Sequence, residues 1–124
     1  MLQLPTLEVP KYVLVTLNNL YEIERKVIAN GDPGNARRNI DRIKDAFSEM
    51  GLFYEDPMGD VFKETRTDLE ATITGSGTED LVVVEVIKPI LRYGDTAISR
   101  VVQRGIVLVE SITETQNKKE ESNS

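Results

Sequence analysis

The sequence predicts an α+β fold: an antiparallel helical hairpin, joined to that of a second copy as a dimeric four-helix bundle, followed by a small all-β domain. Three observations lead there. Two stretches in the first half repeat apolar residues at helical spacing. A dense aliphatic run from Leu81 to Ser111 combines strand alternation with a turn signal. The order of helix, helix and strands keeps the two kinds of element apart. The implied boundaries are 1–51 for the helical hairpin and dimerisation region, 52–111 for the β-domain, and 112–124 for a disordered polar tail, ITETQNKKEESNS.

Pro5 and Pro10 disfavour a continuous helix over residues 1–10. Proline suits a first helical turn, so a helix is expected from about Pro10 to Asn30. Val13, Leu17, Leu20 and Val27 form its stripe, with Leu14, Tyr21 and Ile28 beside it and Glu24 interrupting. Gly31-Asp32-Pro33-Gly34 is a stop. A second helix is expected from Asn35 to Met50. Its residues Ala36, Ile40, Ile43, Phe47 and Met50 make a heptad-like seam, and Gly51 closes it. Such broad apolar faces exceed what two helices bury between themselves. A homodimer is therefore expected, with Leu17, Leu20, Ile40, Ile43 and Phe47 at its interface; the other arrangement is a monomer whose helices pack on its own sheet.

Leu52-Phe53-Tyr54 is a short apolar piece, and Glu55-Asp56-Pro57-Met58-Gly59-Asp60 reads as a turn. Leu69, Ala71 and Ile73 alternate with polar residues as a strand does. Gly75-Ser76-Gly77 precedes a strand-like run rather than a helix, so it reads as a turn and not a phosphate loop. Within Leu81–Ser111, Gly94-Asp95 fits a two-residue hairpin turn. That turn pairs Leu91 with Ile98, Ile87 with Val102, and Glu85 with Arg104. Pro89 cannot donate to a ladder, so the strand is an edge or is bent there. Gly105 is expected to be a bulge before Ile106-Val107-Leu108-Val109.

Composition narrows the function. The chain has no Cys, hence no disulfide and no thiolate metal site. It has no His, which removes the commonest general base and transition-metal ligand. Asp56 and Asp60 lack the ligand spacing of a calcium loop, and Glu64 with Asp68 is an acid pair with no marked pocket. No catalytic residue, metal or cofactor is expected. A net charge of −6 argues against nucleic acid. No apolar run approaches the ~20 residues of a membrane span, and no leader pattern is visible, so a cytoplasmic address is expected. Charge is uneven: residues 55–80 carry eight acids against two bases, whereas residues 88–104 carry four bases against one acid. The basic stretch either docks an acidic partner or pairs with its acidic neighbour. Arg100, Val102 and Arg104 share a strand face, and Arg100 faces Pro89 in the expected register, without an ionic partner.

Three stretches also resemble a known family. Met50-Gly51 followed by Asp56-Pro57-Met58-Gly59-Asp60-Val61-Phe62, then Val83-Val84-Glu85-Val86-Ile87, then Ile106-Val107-Leu108-Val109 are similar in order and spacing to GrpE, the nucleotide exchange factor of DnaK-type chaperones. Gly94-Asp95 falls at that family's turn. The likeness covers roughly residues 35–110. It departs where the family's H-x-A falls on Thr67-Asp68-Leu69 and where the arginine after the turn reads Thr96. The resemblance implies a dimer whose helical bundle carries small β-domains, one of which docks on the chaperone's ATPase domain and releases ADP. Arg100, Arg104, Ile106 and Val109 then fall at the partner contact. The alternative is a dimeric protein-binding adaptor without exchange activity.

Overall fold

The backbone of Pro10 is extended, with φ −58° and ψ 145°, and its carbonyl accepts the first helical hydrogen bond, from the N–H of Val13 at 3.0 Å. The computed structural model describes residues 9–95 and 97–112; the expected irregular start, the polar tail beyond Ile112 and Thr96 lie outside these. Its elements are α1 (Lys11–Ala29), α2 (Arg37–Glu49), β1 (Leu52–Glu55), β2 (Leu69–Ile73), β3 (Leu81–Lys88), β4 (Ile90–Gly94), β5 (Ser99–Gln103) and β6 (Gly105–Ser111). They form two compact units. The first holds the helices with residues up to Glu55 and Leu91–Gln103; the second holds Asp56–Ile90 and the chain from Arg104 onward.

In the first unit the strands follow the order β1-β4-β5. Leu17 is 1% exposed and shares a core with Leu52 of β1 and Leu91 of β4, around which Val13, Leu14, Phe47 and Val102 pack. Leu20, Tyr21 and Ile40 are buried as well. This overturns the dimeric four-helix bundle: the described residues make a small α+β fold of two helices and six strands in two sheets, and the α1 stripe is covered by the chain's own strands. Burying one leucine yields about 1.5–3 kcal/mol whichever surface covers it. Periodicity reports that a face is covered, not by what.

The hairpin register is corrected too. β4 pairs antiparallel with β5 as Leu91↔Gln103, Arg92↔Val101, Tyr93↔Arg100 and Gly94↔Ser99, so Leu91 does not meet Ile98. The connection is longer than two residues. The N–H of Asp95 donates to the Ile98 carbonyl at 2.9 Å, and Gly94 has φ 138°. A Cβ on Gly94 would collide with the Ile98 carbonyl and Ser99 Cα, so only glycine fits there.

In the second unit β6 is central, in the order β2-β6-β3. It runs parallel to β2, from Leu69↔Gly105 to Ile73↔Val109, and antiparallel to β3, from Leu81↔Ser111 to Lys88↔Ile106. Glu85 therefore lies opposite Leu108 rather than Arg104, and Ile87 falls at a register shift against β6 instead of meeting Val102. Gly105 is no bulge. It opens β6, where an added Cβ would stand 2.8 Å from Leu69 Cδ2 and 3.0 Å from Ile90 Cγ1. Val107 and Val109 are fully buried because both edges of β6 are paired.

Leu17→Ala is expected to lower the unfolding free energy by about 2–5 kcal/mol, the usual range for emptying such a site. Val15→Ala, on a half-exposed residue of the same helix, should stay within about 0.5 kcal/mol. Urea unfolding of both variants makes the comparison; equal small losses would contradict the core described here.

Candidate protein-docking surface

The sequence-predicted contact residues fall in different units. Arg100 sits half-buried on β5, in the first. Its cross-strand neighbour is Tyr93, and the guanidinium carbon lies 5.8 Å from that ring's centroid, within cation–π range. The β4–β5 connection is closed by Asp95. Its Oδ1 accepts hydrogen bonds from the N–H groups of Ile98 at 2.7 Å and Ala97 at 2.8 Å. Those two donors favour the carboxylate and hold Asp95 below its ordinary 3.8. On the same strand pair, Arg92 Nε lies 3.0 Å from Glu55 Oε1, a charge contact whose angle is not that of a hydrogen bond. The expected basic face is thus partly engaged within its own unit.

Arg104, Ile106 and Val109 belong to the second unit. Arg104 is exposed, and its Nη2 donates to the Leu69 carbonyl at 2.6 Å. Ile106 is half-buried. Val109 is fully buried, which removes it from the surface where the sequence placed it. Of the residues expected at a dimer interface, Leu17, Leu20 and Ile40 are buried within the first unit, Phe47 packs against its core, and Ile43 is exposed. The acid pair is also spoken for in part. Arg66 forks onto Asp68, with Nε–Oδ1 and Nη2–Oδ2 both 3.0 Å, and its Nη1 reaches Asp60 Oδ2 at 3.1 Å. The bond to Asp68 above all raises the Arg66 pKa, and the fork holds the Asp68 carboxylate as a fixed counter-ion.

One cluster went unread in the sequence. Glu24, which interrupts the α1 stripe, accepts the Tyr54 hydroxyl on Oε1 at 2.9 Å and holds Lys44 Nζ 3.1 Å from Oε2. Lys44 also stands 5.0 Å above the Tyr54 ring, and Tyr21 meets Tyr54 edge to face at 5.6 Å. Burial, then the hydrogen bond to Glu24 and its charge, raise the Tyr54 phenol well above its ordinary 10.0. The cluster ties α1, α2 and β1 together. The available signal was the acid itself, since a carboxylate in an apolar stripe demands partners.

Among the described residues, no group of three or more His, Cys, Asp or Glu side chains is placed to hold a metal ion, and no helix is long and apolar enough to cross a membrane. No protein-family model, no curated protein and no solved structure matches the chain.

The raised Tyr54 value has a sign. The folded state keeps the proton more tightly than the unfolded chain, so stability is intact below pH 10 and falls as pH climbs above it. Urea midpoints between pH 9 and 12 should drop for the native chain and drop less steeply for Tyr54→Phe. At pH 7 that variant should lose about 1.5–3 kcal/mol, the range for a hydrogen bond to a charged group. Parallel pH profiles for the two proteins would show that Tyr54 is not held in this way.

Proposed function

We propose that the chain is a GrpE-like nucleotide exchange factor: its β-rich second unit docks on the ATPase domain of a DnaK-type chaperone in the cytoplasm and promotes ADP release. One observation carries the reading. Three of the stretches that resemble that family, 56–62, 83–87 and 106–109, are far apart in sequence yet lie together in the second unit, whereas Met50-Gly51 and the Gly94-Asp95 turn lie in the first. The Gly59 N–H donates to the Val83 carbonyl at 3.0 Å and the Phe62 N–H to the Leu81 carbonyl at 2.8 Å. Val83 of the next stretch pairs with Val109 of the last. A family likeness spread over unconnected pieces would have no such reason to converge.

The activity needs no catalytic side chain. Exchange follows if the unit binds the open ATPase domain more tightly than the closed one. A hundredfold shift requires about 2.8 kcal/mol of difference. An arginine and an adjacent apolar side chain are able to supply it. With Val109 buried, that role falls to Arg104 and Ile106 in the second unit.

Stopped-flow release of a fluorescent ADP from the DnaK-type chaperone of the same cytoplasm tests this. Acceleration that saturates with added protein is expected, reduced about tenfold or more by Arg104→Ala, since about 1.4 kcal/mol of lost contact is tenfold. Unchanged release at saturating protein would sink the proposal.

A further inference from the structure

The second unit has an open sheet edge. β2 pairs with β6 on one side, and no strand among the described residues pairs on its other side. The Gly105 N–H donates to the Asp68 carbonyl and the Thr74 N–H to the Val109 carbonyl. In a parallel ladder the residues facing one neighbour alternate, so Glu70 and Thr72 also face β6, and Leu69, Ala71 and Ile73 turn their backbone groups outward. Arg104 occupies the first outward carbonyl, that of Leu69. Ala71 and Ile73 remain available. Soluble proteins blunt such edges with lysine, proline or a bulge. β2, Leu-Glu-Ala-Thr-Ile, has none of these, and its pairing to β6 is regular throughout.

Ile73 is 46% exposed and lines a cavity of about 430 Å³ together with Val61, Phe62, Leu81, Glu64 and Asp80. Lys63 is the one base on that lining. Arg66 bridges Asp60 and Asp68, one positive charge against two negative. Glu64, Glu70, Glu79 and Asp80 have no ion pair among the described residues. The edge therefore offers main-chain groups, an apolar recess and excess negative charge side by side.

We infer that β2 is a docking edge for an extended basic segment of a partner protein, which adds a strand beside Ala71 and Ile73, sets an apolar side chain in the cavity, and places Lys or Arg against Glu64, Glu70 and Asp80. Main-chain pairing supplies attachment and the recess supplies selection, the usual division in strand addition. A second copy of the chain is a poor occupant, because it would bring the same acids to the same place. The inference is independent of nucleotide exchange.

The test uses the whole chain and three labelled heptapeptides: alternating lysine–valine, alternating glutamate–valine, and alternating lysine–proline. Fluorescence anisotropy should show saturable binding of the lysine–valine peptide alone, with amide exchange slowed at Ala71 and Ile73. Ile73→Lys replaces an exposed residue with a repelling charge and should weaken binding about tenfold or more with an unchanged melting temperature. Glu64→Gln with Asp80→Asn, which leaves the backbone edge intact, should weaken it as well and flatten its dependence on salt. Equal binding of the lysine–proline peptide means charge alone, and equal binding of the glutamate–valine peptide means apolar adhesion; either overturns the inference. So does a mass that doubles with concentration and falls back for Ile73→Lys, since the edge is then taken by a second copy.

Discussion

Pro89 cannot donate a ladder hydrogen bond, and the whole arrangement of strands turns on that missing donor. Without it, Leu81–Gly94 would read as one long strand. With it, β3 ends at Lys88 and β4 begins at Ile90, and the two halves pair in different sheets. Pro89 and Ile90 are almost wholly buried, so the bend is also a packing point. Gly105 completes it. A side chain there would meet Leu69, Ile90 and the Lys88 carbonyl together. The proline and the glycine, remote in sequence, thus serve one bend. Because the chain leaves one sheet and later returns to it, β6 becomes the inner strand of the second sheet, which is why Val107 and Val109 have no exposed surface.

The first unit solves a different problem. Two amphipathic helices leave more apolar surface than a hairpin covers, and the chain covers it with strands that arrive late in the sequence. Leu17 rests on Leu52 and Leu91. The Asn18 side chain exchanges two hydrogen bonds of 2.9 Å with that of Gln103 on β5. A paired amide at the margin of an apolar core favours one seating over neighbouring ones, because any shift leaves its donors and acceptors unmet. Glu24 with Tyr54 and Lys44 acts likewise at the helix–helix–strand junction.

How much of this was legible follows from what local sequence encodes. The helices were, because 3.6-residue periodicity is local: Pro10 to Asn30 was the reading and Lys11–Ala29 the outcome. β2 was legible from the alternation of Leu69, Ala71 and Ile73. The β4–β5 register was not. Gly94-Asp95 has the look of a two-residue turn, but the Asp95 carboxylate organises a longer one by accepting the Ala97 and Ile98 amides, and every expected pair slipped with it. The parallel pairing of β2 with β6 left no trace at all, since nothing local distinguishes a parallel partner from an antiparallel one. The error over the bundle has the same origin, as a stripe does not name its cover. Of the residues proposed for a contact, Arg104 is exposed and Val109 is buried, because surface and core alternate along a strand and one residue decides the side.

The arginines differ in what holds them and in how much of their charge is taken up. Four of them are anchored: Arg66 is forked on Asp68, Arg92 lies beside Glu55, Arg100 lies over Tyr93, and Arg104 is hooked on the Leu69 carbonyl. A mobile arginine carries about 2 kcal/mol of rotamer freedom. Binding through it must offset that loss. An arginine already held by one nitrogen has lost part of this freedom on folding, yet its guanidinium has five N–H donors and keeps several for a partner. Arg104 meets this condition best, because it is exposed and its anchor is a neutral carbonyl that leaves the positive charge uncompensated. Arg66 meets it least, since two carboxylates already cancel its charge. The side chains best prepared to contact another protein are therefore those whose anchors hold position without taking the charge.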